Sequence, residues 1–389
     1  MLIYLDNSAT TKMRSEARDK YIEVADSTFG NPSSLHAMGL NAEKELDAAR
    51  ARILTSLKDN QSTVVFVGSG SEANNLAILG RAYAKERYRK GARIITTEGE
   101  HASVNMPLEK LAAEGYEIVK IPTRGGIIDL NALDAALTKN TVLVTVMMVN
   151  NETGALYDIS EVSRRVKQNA PEAIVHVDAT QSYLKLPFTK KSIGADMITI
   201  SSHKIEGPKG VGALVIDNSV IKNKGIAAQI LGGGQEAGLR SGTENVPAIA
   251  AFGVAAELGY RELTASVARL NEMRTYLIEK LSTDADFAGV SLTLPESHAP
   301  HILNITVHGI KSETLLHYLS REGVYVSSGS ACSSNSAHLS GALIAYGRSA
   351  EEADSSIRIS LGVRNTYEEL DAATEALRGA IKRLARIKR

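Results

Sequence analysis

The stretch Thr63-Val64-Val65-Phe66-Val67-Gly68-Ser69-Gly70-Ser71-Glu72-Ala73-Asn74-Asn75 decides the fold. Five apolar or β-branched residues run into a glycine–serine turn, and the turn opens a segment with helical patterning through Arg87. A buried strand feeding a helix in this way is the repeating unit of an α/β sheet. Glycines let the backbone approach a ligand, and the start of a helix offers free N–H groups and a positive dipole end. Gly68–Asn75 can therefore cup a phosphate. It lacks the Gly-Lys-Ser/Thr ending of a Walker loop and the three-glycine spacing of a dinucleotide site. Taken alone, an ordinary strand-to-helix turn is an equal reading.

The same alternation extends on both sides. Strands are expected at Thr63–Val67, Arg93–Thr97, Glu117–Ile121, Val142–Val149, Ala173–Val177, Met197–Ile200 and Val211–Ile216. Amphipathic stretches at Glu72–Arg87, Ser103–Glu114 and Ile159–Gln168 lie between several of them. Apolar strands separated by helices predict a seven-stranded, mainly parallel sheet covered on both faces. Ligands of such sheets bind beyond the carboxyl ends of the strands.

After about residue 258 the pattern changes. A long helix over about 263–281 is followed by strands near 301–307, 324–327 and 356–360 and helices near 312–321, 337–346 and 367–385. Thr366-Tyr367-Glu368-Glu369 reads as a capping box for the last helix. The expected organisation is a large α/β domain, 16–258, and a smaller α+β domain, 1–15 plus 259–389. With no obvious flexible linker, the two should share a wall.

The 389 residues carry 44 acidic and 44 basic side chains, which gives no general argument for nucleic acid or membrane binding. The apolar run near Val142–Val149 is far too short to span a bilayer. Met1–Asp6 has no basic region ahead of its first acid and does not read as a secretory signal. With a single cysteine this predicts a cytoplasmic location. Basic residues in Ile381–Arg389 suit a helix C-terminus, a better reading than a docking surface for an acidic acceptor.

Three features carry chemistry. Asp178 ends a buried strand in His176–Gln181, where it either caps the next turn or faces a cation. Lys204, in Ser201-Ser202-His203-Lys204, ends the next strand among hydroxyls and can act as an amine nucleophile once desolvated. Lys185 and Lys209 compete with it, although Lys209, after a Gly-Pro turn, looks like a surface residue. Cys332, the sole cysteine, lies in the hydroxyl-rich stretch Ser327–Ser336 and is either a candidate nucleophile or a chance surface thiol. A phosphate cup, a strand-end aspartate and a strand-end lysine, in that order on a parallel sheet, suit pyridoxal 5′-phosphate.

With these residues in hand the chain resembles the cysteine desulfurases of the NifS/IscS type, class V aminotransferase-like enzymes of fold-type I. The resemblance covers nearly the whole chain. It includes Tyr4–Thr11, Gly30–Ser34, Glu100-His101, Asn150–Gly154, His176–Gln181, Ser202–Lys204, Gly207–Gly210, Gly232–Glu236, Arg240–Thr243, Ser328–Cys332 and Ile357–Gly362. It implies that Lys204 carries the cofactor and moves the substrate α-proton. Asp178 would pair with the pyridinium, Gln181 would donate to the ring oxygen, and His101 would stack on the ring and assist acid–base steps. Gly70, Ser71, Ser201 and His203 would hold the phosphate. Thr243 would reach the phosphate of the neighbouring subunit in a homodimer, and Arg358 with Asn151 would bind the substrate carboxylate. Cys332 would take sulfur from L-cysteine as a persulfide, leaving L-alanine, and would pass it to an acceptor protein of iron–sulfur cluster assembly or tRNA thiolation. A selenocysteine lyase or an aminotransferase of the same fold is the alternative. Two departures stand out: Ser71 replaces an expected threonine, and Glu206 replaces a common tyrosine or histidine two residues after Lys204.

Overall fold

The computed structural model describes residues 2–85, 91–328 and 339–387. The chain opens on a short strand, β1 (Ile3–Tyr4), and then builds its large sheet. The sheet strands are β2 (Ser62–Val67), β3 (Arg93–Thr97), β4 (Glu117–Ile121), β5 (Thr141–Met147), β6 (Ile174–Asp178), β7 (Met197–Ser201) and β8 (Gly212–Asp217). Their order across the sheet is β2-β8-β7-β6-β5-β3-β4. All run parallel except β8, which is antiparallel to both β2 and β7.

Helices cover both faces, and the period-2 alternation of the strands sorts their side chains into two cores. Val64, Phe66, Val144, Val146, Val175, Val177, Ile198 and Ile200 fall in one apolar cluster. Val65, Ile94, Leu143, Met197, Leu214 and Ile216 fall in the other, with Ala73, Leu76, Val104 and Leu108 of the helices Gly70–Tyr83 and Ala102–Ala113. Central β5 is buried at every position, so it shows no polar alternation. The edge strand β4 exposes Glu117 and Lys120, which blunt the edge against further pairing.

The C-terminal part forms a second sheet of β9 (Val290–Thr293), β10 (Ile302–Val307), β12 (Ser327–Ser328) and β13 (Ser356–Ser360), ordered β12-β13-β10-β9. Between β10 and β12, β11 (Val324–Tyr325) pairs in parallel with β1. Asp6 bridges to Ser360, which ties the N-terminal segment to this smaller sheet. The strand expected over 324–327 is two short strands separated by Val326. β9 was not expected at all. The capping box at Thr366 and Glu369 is made in both directions.

The long helix departs most from expectation. It runs unbroken from Val246 to Thr283, 38 residues, starting well before residue 263. Its first half is buried against the large sheet's core through Ala248, Phe252 and Ala256. Its second half supplies Leu270, Met273, Leu277 and Leu281 to the smaller core. One helix therefore packs against both cores. No helix among the described residues is long and apolar enough to cross a membrane. Lys382, one of the C-terminal cations, pairs with Asp286 at 2.6 Å.

Candidate active site

Strands β2, β5, β6 and β7 end at one edge of the large sheet, and the turns that leave them enclose a cavity of about 450 Å³. That lies within the ordinary range for small-molecule sites. At β2 the backbone turns through Ser69, whose hydroxyl caps the following helix by accepting from Glu72 N–H at 3.1 Å. Glu72 in turn accepts from Gly68 N–H at 2.8 Å and pairs with Arg240 at 2.9 Å, so the cup is braced from outside. Gly212, at the start of β8, passes so close that a Cβ there would lie 2.7 Å from the Ser69 carbonyl carbon. Glycine at that position lets the cup sit against the sheet.

Asp178 closes β6 and is 6 % exposed. One carboxylate oxygen accepts from Asn74 Nδ2 at 2.8 Å, the other from Thr180 N–H at 2.9 Å. Both bonds fix its orientation toward the cavity. Asn74 also donates to Ser103 Oγ at 2.9 Å, which links the cup helix to His101. His101 caps the helix Ala102–Ala113: its Nδ1 accepts from Ser103 N–H at 3.1 Å. An Nδ1 used as acceptor places the proton on Nε2. Burial holds the His101 pKa below the usual histidine value, against an opposing pull from Asp178.

Lys204 sits in the single helical turn after β7, and its Nζ donates to the carbonyls of Ser8 and Ala9. The N-terminal segment thus reaches across to the large sheet's edge. His203 bonds Thr10 Oγ1 at 3.1 Å, and burial with the nearby Lys204, Lys209 and Lys185 pushes its pKa down to about 4. From the smaller sheet, Arg358 enters on β13 and is 7 % exposed. β13 is paired on both sides, by β10 and β12, so Arg358 does not lie on a sheet edge. Its Nη2 donates to Asp6 at 2.7 Å and its Nη1 to the Asn151 carbonyl at 2.9 Å.

The cavity therefore brings together Gly70, Ser71, His101, Asn151, Asp178, Gln181, Ser201, His203, Lys204 and Arg358. Thr243 is exposed and does not line it. Cys332 lies outside the described residues. Glu206 points away from the cavity, in a left-handed backbone conformation at φ 62°, toward Arg14 and toward Arg364 at 3.0 Å. Lys209 is exposed, as its turn suggested. Asp6, Ser8, Asn74, Ser103 and Thr180 line the cavity and were given no role by the sequence. Only Asn74 carried a signal: it lies one helical turn after Gly70 and so faces the same way.

Several buried polar atoms at this cavity have no protein partner: Ser201 Oγ, Asn74 Oδ1, Gln181 Oε1 and Arg358 Nε. Groups left in this way need a ligand or water to satisfy them. The set is one of hydroxyl, amide and guanidinium around a carboxylate and an amine, with a helix start on one wall. That fits a flat, nitrogen-containing, phosphorylated ring with an amino acid beside it. Among the described residues no cluster of acidic, histidine and cysteine side chains could hold a metal ion.

Comparison with known proteins agrees with this reading. Residues 3–373 match the model of the family described as aminotransferase class-V. The chain is 37% identical over 385 residues to cysteine desulfurase IscS 1 of Archaeoglobus fulgidus, covering 98% of this chain and 97% of that protein. It is 40% identical over 392 aligned positions to cysteine desulfurase IscS of Salmonella schwarzengrund, covering 98% and 93%. Among solved structures, a NifS-like protein superposes with a TM-score of 0.90 at 33% identity over 99% of this chain and all of the other. A NifS-like protein from Rickettsia africae gives 0.86 at 31% identity, with 98% and 100% covered. With fold, motif order and near-complete coverage in agreement, the chain belongs to the aminotransferase class-V family, in its NifS/IscS cysteine desulfurase branch.

Proposed function

We propose that this protein is a pyridoxal 5′-phosphate-dependent cysteine desulfurase. It takes L-cysteine to L-alanine and moves the sulfur to Cys332. The observation that carries the reading is the meeting of Lys204, Asp178 and Arg358 in one cavity that also holds unpartnered buried polar atoms. When bound, the cofactor supplies an electron sink that draws charge from the substrate α-carbon and weakens the bond to sulfur.

The protein's own residues divide the remaining work. Lys204 Nζ would hold the cofactor and would move the α-proton of the substrate. Asp178, oriented by Asn74 and Thr180, faces the ring nitrogen. Gly70, Ser71, Ser201 and His203 receive the phosphate at the helix start. Gln181 spends one amide hydrogen on the Ser8 carbonyl, at 2.9 Å, and keeps the other for the ring oxygen. His101 offers an Nε2–H at the ring face. Arg358, with Asn151 beside it, presents its planar fork to the substrate carboxylate. Cys332, as thiolate, attacks the substrate sulfur: the Cβ–S bond breaks, an S–S bond forms, and Cβ takes a proton. Products are alanine and a Cys332 persulfide.

The persulfide sulfur then passes to an acceptor protein of iron–sulfur assembly or tRNA thiolation in a cytoplasmic setting. The active form is a homodimer in which Thr243 serves the neighbouring site. The exposure of Thr243, and of Phe29, Leu35 and Leu231, supports a further surface that covers them.

The decisive experiment is incubation of the purified, cofactor-loaded protein with L-cysteine. Stoichiometric alanine, a mass increment of one sulfur on Cys332, and loss of sulfide release in Cys332→Ala with reductant present are expected. A keto acid with aminated cofactor in place of alanine would make it an aminotransferase. Alanine formed with no sulfur on Cys332 would overturn the role of the thiol.

A further inference from the structure

Behind Lys204, on the side away from the cofactor cavity, lies a second chamber with about 70 Å³ of water-accessible space. Lys204 lines both cavities and is their common wall. The chamber's other walls carry Lys185, His301, Arg14, Glu206 and Glu262. Two of these side chains are unusual. His301 is completely buried, and neither ring nitrogen has a protein partner. Lys185 has a half-buried stem, but its Nζ is shielded and likewise has no protein partner. The space admits several waters, each of which can join such atoms.

The charged groups around Lys185 are not balanced. Lys204 and Arg358 act on it as cations, and Glu206 is the nearby anion. Yet Glu206 is already engaged by Arg14 and Arg364, and Glu262 by Arg14 at 2.8 Å. Among the described residues no carboxylate is left to neutralise an ammonium at Lys185. A buried amine in that position exchanges its proton near neutrality, and burial pulls the Lys185 pKa down to about 7. His301, with its own pKa well below the ordinary histidine value through burial, stays neutral beside it.

We propose that Lys185 tunes the amine of Lys204: as a second amine across the chamber bounded by His301, it holds the proton affinity of Lys204 down. A like-charged neighbour is an established means of activating a lysine nucleophile. Lys185 acts through Lys204 and does not touch the reacting atoms, so it is a tuning residue and not a catalytic one. This inference rests on the cofactor reading of Lys204.

The test titrates the visible absorbance band of the cofactor-loaded protein, in the absence of substrate, for the wild type and two variants. Lys185→Met removes the cation and is expected to raise the titration midpoint by about one pH unit. Lys185→Arg keeps a charge throughout the range and is expected to lower it. Opposite shifts from two side chains of similar length are not produced by a packing role. Equal midpoints in wild type and either folded variant, or shifts of the same sign, overturn the proposal. A wild-type protein that shows no cofactor band overturns the cofactor reading itself and is distinguished in this way from failure of the Lys185 proposal.

Discussion

The guanidinium of Arg358 is held from two sides before any substrate arrives. Asp6 takes one Nη2 hydrogen and the Asn151 carbonyl one Nη1 hydrogen, while the buried Nε meets no protein acceptor. A fork fixed in this way can accept a carboxylate through parallel bonds. A lysine at the same place would present one rotating point charge and would have to share it with Asp6. Arg358→Lys is therefore expected to raise KM for L-cysteine roughly 10- to 100-fold, the equivalent of one or two charge-assisted hydrogen bonds, with a smaller fall in kcat. Steady-state alanine formation measures both constants, and a KM within twofold of wild type would refute the assignment. Arg358 was readable in the sequence only through the resemblance of Ile357–Gly362. Its partner Asp6 lies 352 positions away, and no local pattern announces a pair of that separation.

At the scale of elements, the strand ends explain why so much of the site was legible. A parallel sheet places every strand's carboxyl end on one edge, so a lysine and an aspartate ending adjacent strands must share that edge. The expected bounds of β3, β4 and β13 match the structure. The start of the long helix did not, for a physical reason. Val246–Ala256 is buried nearly all round, so it lacks the polar face that makes a helical period visible. Gly253 packs so closely on Ala49 that a Cβ would lie 2.8 Å from its Cα. Another tie, made by a buried carboxyl, was given no role by the sequence although Glu100-His101 belongs to the resemblance. Glu100, at the turn after β3, accepts from Thr97 Oγ1 at 2.5 Å and from Met147 N–H at the end of β5 at 3.0 Å. Burial raises its pKa from 4.5 to about 8. It is thus protonated in the folded protein at neutral pH and ionised when unfolded. Its stabilising contribution is complete below about pH 4.5 and is lost as pH climbs through about 8. Unfolding releases up to one proton across that window, a slope of about 1.4 kcal/mol per pH unit. Glu100→Gln should make stability, read from urea midpoints, fall less steeply between about pH 5 and 8 than in the wild type. Parallel curves for the two proteins would contradict it.

On the scale of the whole molecule, we propose a division into a domain of 16–258 and one of 1–15 plus 259–389: the apolar clusters of the large sheet are separate from the cluster around Ile3, Leu303 and Ile357, and the helix Val246–Thr283 contributes to both sides. The cavity is lined from both parts, yet one expected phosphate ligand, Thr243, stands outside it. The segment that carries Thr243 is firmly held: Arg50 grips Glu236 through two bonds, at 2.9 and 2.8 Å, and Arg240 grips Glu72. A well-anchored residue that faces away from its own site can serve a twofold-related one, because an isologous dimer repeats each contact in both directions. Complementation between two defective chains tests this. Lys204→Ala cannot hold the cofactor, and Thr243→Ala should bind it weakly. In a mixed dimer, one site then lacks both residues, while the other takes its lysine from the Thr243→Ala chain and its threonine from the Lys204→Ala chain. That second site is complete. After unfolding and refolding an equal mixture, random pairing makes about half the dimers mixed, so tight cofactor binding should reappear in about a quarter of the subunits. If Thr243 served its own chain, every lysine-bearing site would lack its threonine and no tight sites would form.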